Sequence, residues 1–303
     1  MVHRHAHPEE VARGALPLET GEVVGRLTSR GSNGRSQHDR DGKAGYVVRP
    51  VPRSRQVVLD LLTGAARRFQ VHGLVEFDVG RASSRLAASE QHVSWTGFVI
   101  ATLARAVALH PEVNARRAGN RALFFDRVDV GATVERHLDG GGALGAVTIR
   151  DADRKSCAAI SQELRRAKQA QDPAPTRHSL AARAARLAGP IRRSALRLAG
   201  TRPRVVARFG PAVGVTSLGM FSRGGGWAIP LAPLTVVATV GGVVDRPVVR
   251  EGRIVIRPML PLTLSFDHGV VDGAPAARFV PTLRELTETA AAFETTLGRS
   301  GEG

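Results

Sequence analysis

Lysine is almost missing from this chain of 303 residues. Only Lys43, Lys155 and Lys168 occur, so the formal charge of +16 is carried by arginine. Cysteine occurs once, at Cys157, which excludes a disulfide framework and any cysteine-rich zinc site. Aromatic residues make up 4%, too few for the stacking platforms of a nucleic-acid binder, and no nucleic-acid motif is present. Acidic residues are absent from 173 to 244, whereas Arg177, Arg183, Arg186, Arg192, Arg193, Arg197, Arg202, Arg204 and Arg208 all fall there. Such a stretch reads as a solvated arginine-rich face, or as an attractor for an anionic cofactor, lipid, nucleic acid or acidic partner. The first residues hold no apolar run of a secretory signal, so a cytoplasmic location is expected.

One uncharged run, 227–244, approaches the length of a transmembrane helix. Pro230, Pro233, Gly241 and Gly242 interrupt it, and Thr235-Val236-Val237 is rich in β-branched residues. Those signals predict a loop entering a buried strand, with no membrane partner.

Hydrophobic residues make up 43%, enough for a sizeable core. Residues 1–45 lack apolar periodicity and are expected to form a disordered basic tail in which His3, His5 and His7 fix no metal geometry. One folded domain is expected over 46–297, with a basic insertion at 173–208 and a flexible tail at 298–303. Within the domain, Val57, Val58, Leu61, Leu62, Ala65 and Phe69 recur at helical spacing after Ser54. Val71 to Val79 alternate as a strand, and a second helix is expected from Ser94 to Leu109, stopped by Pro111. Strands follow around 123–134 and 144–149, separated by Gly140-Gly141-Gly142. Asp153 is expected to cap a helix with Cys157, Ile160 and Leu164 on one face, which makes Cys157 a core filler. Further strands are predicted at 213–216, 234–240, 248–249, 254–256 and 262–266, and Pro275 opens a last helix. Helices and strands interleave without a βαβ repeat, so the expected class is α+β with a mixed sheet and flanking helices.

The sharpest constellation is Ser265-Phe266-Asp267-His268-Gly269-Val270-Val271-Asp272-Gly273. An apolar strand delivers a histidine to its end, where the ring is held more firmly than on a free loop, and histidine is the natural base near neutral pH. Alone, His-x-x-x-Asp-Gly is a weak signal, and a strand-end histidine is more often structural.

The wider segment from Pro258 to Phe279 closely resembles the active-site region of the 2-oxo acid dehydrogenase acyltransferases, relatives of chloramphenicol acetyltransferase. Val215-Thr216-Ser217-Leu218-Gly219-Met220-Phe221 is similar to the family's hydroxyl-bearing segment. Phe98-Val99-Ile100 through His110-Pro111-Glu112-Val113-Asn114-Ala115, Val128-Asp129-Val130-Gly131, and the run from Ile149 to Ser156 resemble three more landmarks, in the family's order. The resemblance implies a chloramphenicol acetyltransferase-like catalytic domain acting on acyl-coenzyme A. His268 would take the proton of a thiol, Thr216 would donate to the oxyanion, and Asp272 would order the turn and the site. Coenzyme A would be met by Ser217 and, in one reading of the basic insertion, by Arg192, Arg193 and Arg197.

It also implies a homotrimer in which histidine and hydroxyl come from neighbouring copies, with 2-oxo acid dehydrogenase subunits as partners. The polar end, Thr296 to Gly303, argues against a cubic cage. Asp41-Gly42-Lys43-Ala44 faintly echoes a lipoylated turn, but no strand pattern flanks Lys43, so a lipoyl group is expected only from another chain. One departure stands out: the residue after the histidine is Gly269, where the family usually has arginine. Three other readings stay open: a small-molecule acetyltransferase, a weakly active or non-catalytic scaffold of the same fold, and a nucleic-acid or membrane binder acting through the basic insertion.

Overall fold

The computed structural model describes residues 51, 53–138, 141–169, 189–208, 210–217 and 225–294. The tail at 1–45, Lys43, much of the basic insertion and the closing segment 295–303 lie outside the described residues.

Period-two apolar patterning builds a seven-stranded mixed sheet in the order β1-β9-β7-β6-β4-β5, with β8 added against the first half of β9. Its strands are β1 (Gln70–Asp78), β4 (Val130–Leu138), β5 (Gly141–Ile149), β6 (Val213–Ser217), β7 (Val236–Val240), β8 (Val244–Arg250) and β9 (Arg253–Asp267). The β4–β6 and β6–β7 pairs are parallel and the others antiparallel. Phe77, Val213, Val215, Ala238, Leu262, Leu264 and Phe266 enter one core. Above it lie α3 (Trp95–Leu109), α4 (Cys157–Gln169) and, after β9, α7 (Gly273–Glu288). Buried residues surround α3 on every side, which marks an interior helix. Ser94 caps it, accepting from the Gly97 amide, as its sequence predicts. A Cβ on Gly97 would sit 2.1 Å from Ser161 Oγ, so the glycine lets α3 and α4 cross closely. The α+β class, with its mixed sheet and flanking helices, is the one expected.

The other sheet face carries hydroxyls. Thr216, Thr239 and Thr263 are successive register partners across β6, β7 and β9. Residues 225–235 run along this face: Gln70 Nε2 donates to Ala232 O at 2.9 Å, and Trp227 Nε1 donates to Val75 O at 3.1 Å. The uncharged run is therefore a loop entering β7, whose five residues are all buried. No helix among the described residues is long and apolar enough to cross a membrane.

Four local expectations change. The two strands expected at 254–256 and 262–266 are one, β9, because β8 pairs its first half while β1 and β7 pair its second. A short helix, α2 (Gly80–Ala87), was not foreseen, and the strand expected around 123–134 is split: its start belongs to β3 (Arg121–Phe124), which pairs with β2 (Ala115–Ala118) in a hairpin, and β4 begins only at Val130. Ser156 rather than Asp153 serves the start of α4, its Oγ accepting from the Ala159 amide at 3.2 Å, while Asp153 sits in a preceding 3-10 turn. The first helix, α1 (Arg53–Ala65), ends before Phe69, which is exposed.

Candidate active site

Residues 259–267 of β9 are all buried and paired with β1, and 262–266 are paired with β7 as well. The Asp267 amide donates to Thr235 O at 2.8 Å, and the His268 amide donates to Phe69 O at 2.7 Å. The chain is thus fixed up to the residue at which its side chain emerges: His268 exposes 47% of its side chain. Asp272 Oδ1 lies 3.7 Å from His268 Nδ1, too far for a hydrogen bond.

Asp272 occupies the N-cap position of α7 but accepts no capping hydrogen bond, and its side chain is 83% exposed. The acid that orders the turn is Asp267. One carboxylate oxygen accepts the Gly269 amide at 3.1 Å, and the other is paired with Arg68. Its main-chain oxygen accepts the amides of Val270 and Val271, both at 2.9 Å. The ordering role expected of Asp272 therefore falls to its buried neighbour. Its place at the end of an apolar strand was the available signal, since a buried carboxylate must be paired. Arg116 completes this cluster, donating to Gly210 O and Pro233 O. Burial, aided by the Arg68 charge and opposed by Asp267, brings its pKa down to about 10, so it stays charged at neutral pH.

Thr216 stands near the end of β6, half-buried, and accepts a 2.8 Å hydrogen bond from Thr133 Oγ1. That donor leaves the Thr216 proton available for another acceptor. Ser217 is the last residue of the strand, in register with Val240. Thr216 and His268 do not meet within one chain. Thr216 is two strands from Thr263, roughly 9.6 Å, and His268 is five residues beyond Thr263, roughly 16 Å at strand rise. The two are therefore roughly 19 Å apart, far beyond hydrogen-bonding reach.

The three arginines expected at coenzyme A differ from one another. All lie on α5 (Gly189–Ala199), but Arg192 is 5% exposed and paired with Asp60 of α1 at 2.5 Å. Arg193 lies 3.7 Å from the same carboxylate. Arg197 is exposed with no ion pair among the described residues. Arg192 thus holds α5 against α1 and is not part of a solvated face. Cys157 is buried, its Sγ donates to Ala292 O at 3.1 Å, and burial pushes its thiol up to about 11, consistent with a core filler. No metal-binding cluster occurs among the described residues. A cleft of about 510 Å³, lined by Asn114, Asp129, Arg150 and Arg208 among others, contains none of the expected site residues.

Known proteins bear on this geometry. The family model described as 2-oxoacid dehydrogenases acyltransferase (catalytic domain) matches residues 50–178 and 204–294. The chain is 25% identical over 199 residues to the dihydrolipoyllysine-residue succinyltransferase component of the 2-oxoglutarate dehydrogenase complex of Haemophilus influenzae; the match covers 65% of this chain and 40% of that protein. It is 46% identical over 81 residues to the lipoamide acyltransferase component of the branched-chain alpha-keto acid dehydrogenase complex of Pseudomonas putida, covering 26% and 19% of the two chains. The longer of these matches spans about two fifths of its relative's length. Among solved structures, the dihydrolipoamide acetyltransferase of Azotobacter vinelandii superposes with a TM-score of 0.61 at 21% identity, over 86% of this chain and 99% of that one. With most of its length matched by the family model, this chain belongs to the 2-oxoacid dehydrogenase acyltransferase catalytic-domain family.

Proposed function

We propose that the chain is a coenzyme A-dependent acyltransferase that moves an acyl group between coenzyme A and a thiol acceptor, a lipoyl group carried by another chain. The observation that carries the reading is the strand-end histidine: His268 is fixed through its main chain by β9 and Phe69 yet presents its ring to solvent. His268 takes the thiol proton, the thiolate attacks the thioester carbonyl carbon, and collapse of the tetrahedral intermediate breaks the original C–S bond, the departing thiolate taking the proton back from His268. Thr216 donates to the oxyanion while Thr133 holds its hydroxyl. A positioned base contributes roughly 10²–10⁴-fold, and one oxyanion donor about 2.7–4 kcal/mol. The Azotobacter enzyme has been studied for mechanistic roles of a serine, a histidine and an asparagine, the last two four residues apart. His268 and Asp272 have that spacing.

Because Thr216 and His268 are far apart in one chain, the complete site is assigned to the junction of two copies, as in a closed trimer. Of the α5 arginines, Arg197 is free to meet a coenzyme A phosphate, whereas the Arg192 guanidinium is committed to Asp60. Transfer from acetyl-, succinyl- and branched-chain acyl-coenzyme A to free dihydrolipoamide tests the reading. His268→Ala is expected to lower the rate at least about a hundredfold with an unchanged circular dichroism spectrum. A rate within a few-fold of wild type in that variant defeats the mechanism.

A further inference from the structure

Gly269 does not adopt the left-handed backbone that glycines 119, 210, 225, 226 and 252 adopt. Its lack of a side chain therefore serves space and not conformation. A Cβ built there would lie 3.2 Å from Arg117 Nη1 and 3.2 Å from Asp267 Oδ1. The carboxylate is held by the Gly269 amide and Arg68, whereas the guanidinium is the far end of a flexible side chain. A side chain at 269 would therefore press on both and shift the arginine by a few tenths of an ångström.

Arg117 comes from the β2–β3 hairpin, which is tied down on both flanks. Asn114 Nδ2 donates to Phe125 O and Arg127 O, both at 2.9 Å, closing the hairpin base. Arg116 anchors the hairpin strand through Gly210 O and Pro233 O, within electrostatic reach of Arg68 and Asp267. Arg117 is exposed, and no carboxylate among the described residues pairs with it. We propose that Arg117 is a positioning residue for the His268 turn, its guanidinium filling the side-chain space that Gly269 leaves open and closing the turn from outside, as Asp267 does from within. This rests on the acyl-transfer reading, in which His268 is the base. A base misplaced by an ångström loses up to about a hundredfold in rate, so a loosened turn is visible in kcat.

A double-mutant cycle tests it in the full chain. Arg117→Ala should lower kcat roughly tenfold with KM for acyl-coenzyme A within about twofold. Gly269→Ala, whose methyl would crowd the guanidinium, should lower kcat in the same direction. Combined, they should be no worse than either alone, whereas independent effects would multiply to roughly a hundredfold. Arg117→Ala with Gly269→Arg returns a guanidinium from the turn itself and should recover at least about threefold of the loss. Amide exchange supplies a readout without catalysis: Gly269 and Val271 should exchange faster in Arg117→Ala while the β9 amides do not change. Wild-type kcat and exchange in Arg117→Ala, or multiplicative losses in the cycle, overturn the inference. Activity surviving in His268→Ala instead defeats the acyl-transfer reading, and amide exchange then still decides the role of Arg117.

Discussion

If the base and the oxyanion donor of one site belong to different copies, two dead variants should repair each other. His268→Ala removes one half of every site and Thr216→Val the other, and each alone should retain at most about 1% of the wild-type rate. The separation of roughly 19 Å within a chain sets what mixing does. In a closed ring whose copies meet head to tail, a site is intact when its histidine comes from a Thr216→Val chain and its threonine from a His268→Ala chain. With equal amounts and random assembly, each condition holds half the time. About one quarter of the sites are then restored, whatever the number of copies in the ring. Co-expression from one vector, or joint refolding, followed by acyl transfer to dihydrolipoamide measures this directly. A yield near one quarter is at least about 25-fold above either parent. A mixture no more active than its parents, at a size showing that the two chains co-assemble, refutes a site shared between copies.

Three further outcomes follow from individual contacts. Arg192→Gln leaves the buried Asp60 carboxylate with only the more distant Arg193, so it should cost about 2–4 kcal/mol in urea unfolding, whereas Arg197→Gln should stay within about 0.5 kcal/mol. Asp78 is raised by burial but lowered further by hydrogen bonds from Arg257, the Gly80 amide and Arg250, and by the Arg257 charge, so its folded pKa lies below the usual 3.8. The stability it contributes is present above that value and lost as pH falls through the folded one. Asp78→Asn should destabilise by about 1.5–3 kcal/mol at pH 7 and flatten the acid limb of the stability profile. The Cys157 thiol, raised to about 11 by burial, should resist a thiol reagent at pH 8 in the folded protein and react in denaturant.

The parts of the fold visible in the sequence were those whose signal is local. Ser94 followed by an almost wholly apolar stretch specifies α3, and β-branched residues after Pro230 and Pro233 specify β7. The helix α2 left no such trace. It opens with glycine, only Ala82 on it is buried, and it forms where it packs against β9 and α7. At the candidate site, motifs single out His268 and Thr216, but no motif marks the contacts that hold their surroundings. Arg68 lies 199 residues before the aspartate it pairs with, and Arg192 lies 132 residues after Asp60. In a chain so rich in arginine, no spacing distinguishes those from arginines that face water. Sequence pattern marks which carboxylates must find a cation, and only the fold decides which cation arrives.

The continuity of β9 limits how this site can change. Its 15 residues pair with β8 over the first half and with both β1 and β7 over the second, and His268 follows at once. Losing or gaining a single residue within 262–266 would exchange the strand's two faces, sending Leu262 and Leu264 toward the threonine row and Thr263 into the core. The histidine cannot creep along its rail in small steps; it keeps its register or loses the sheet. Reshaping this site, in a laboratory or over generations, is therefore confined to exchanging side chains here, while changes of chain length belong to the hairpin tip at Glu251 and Gly252, where the paired strands end in solvent.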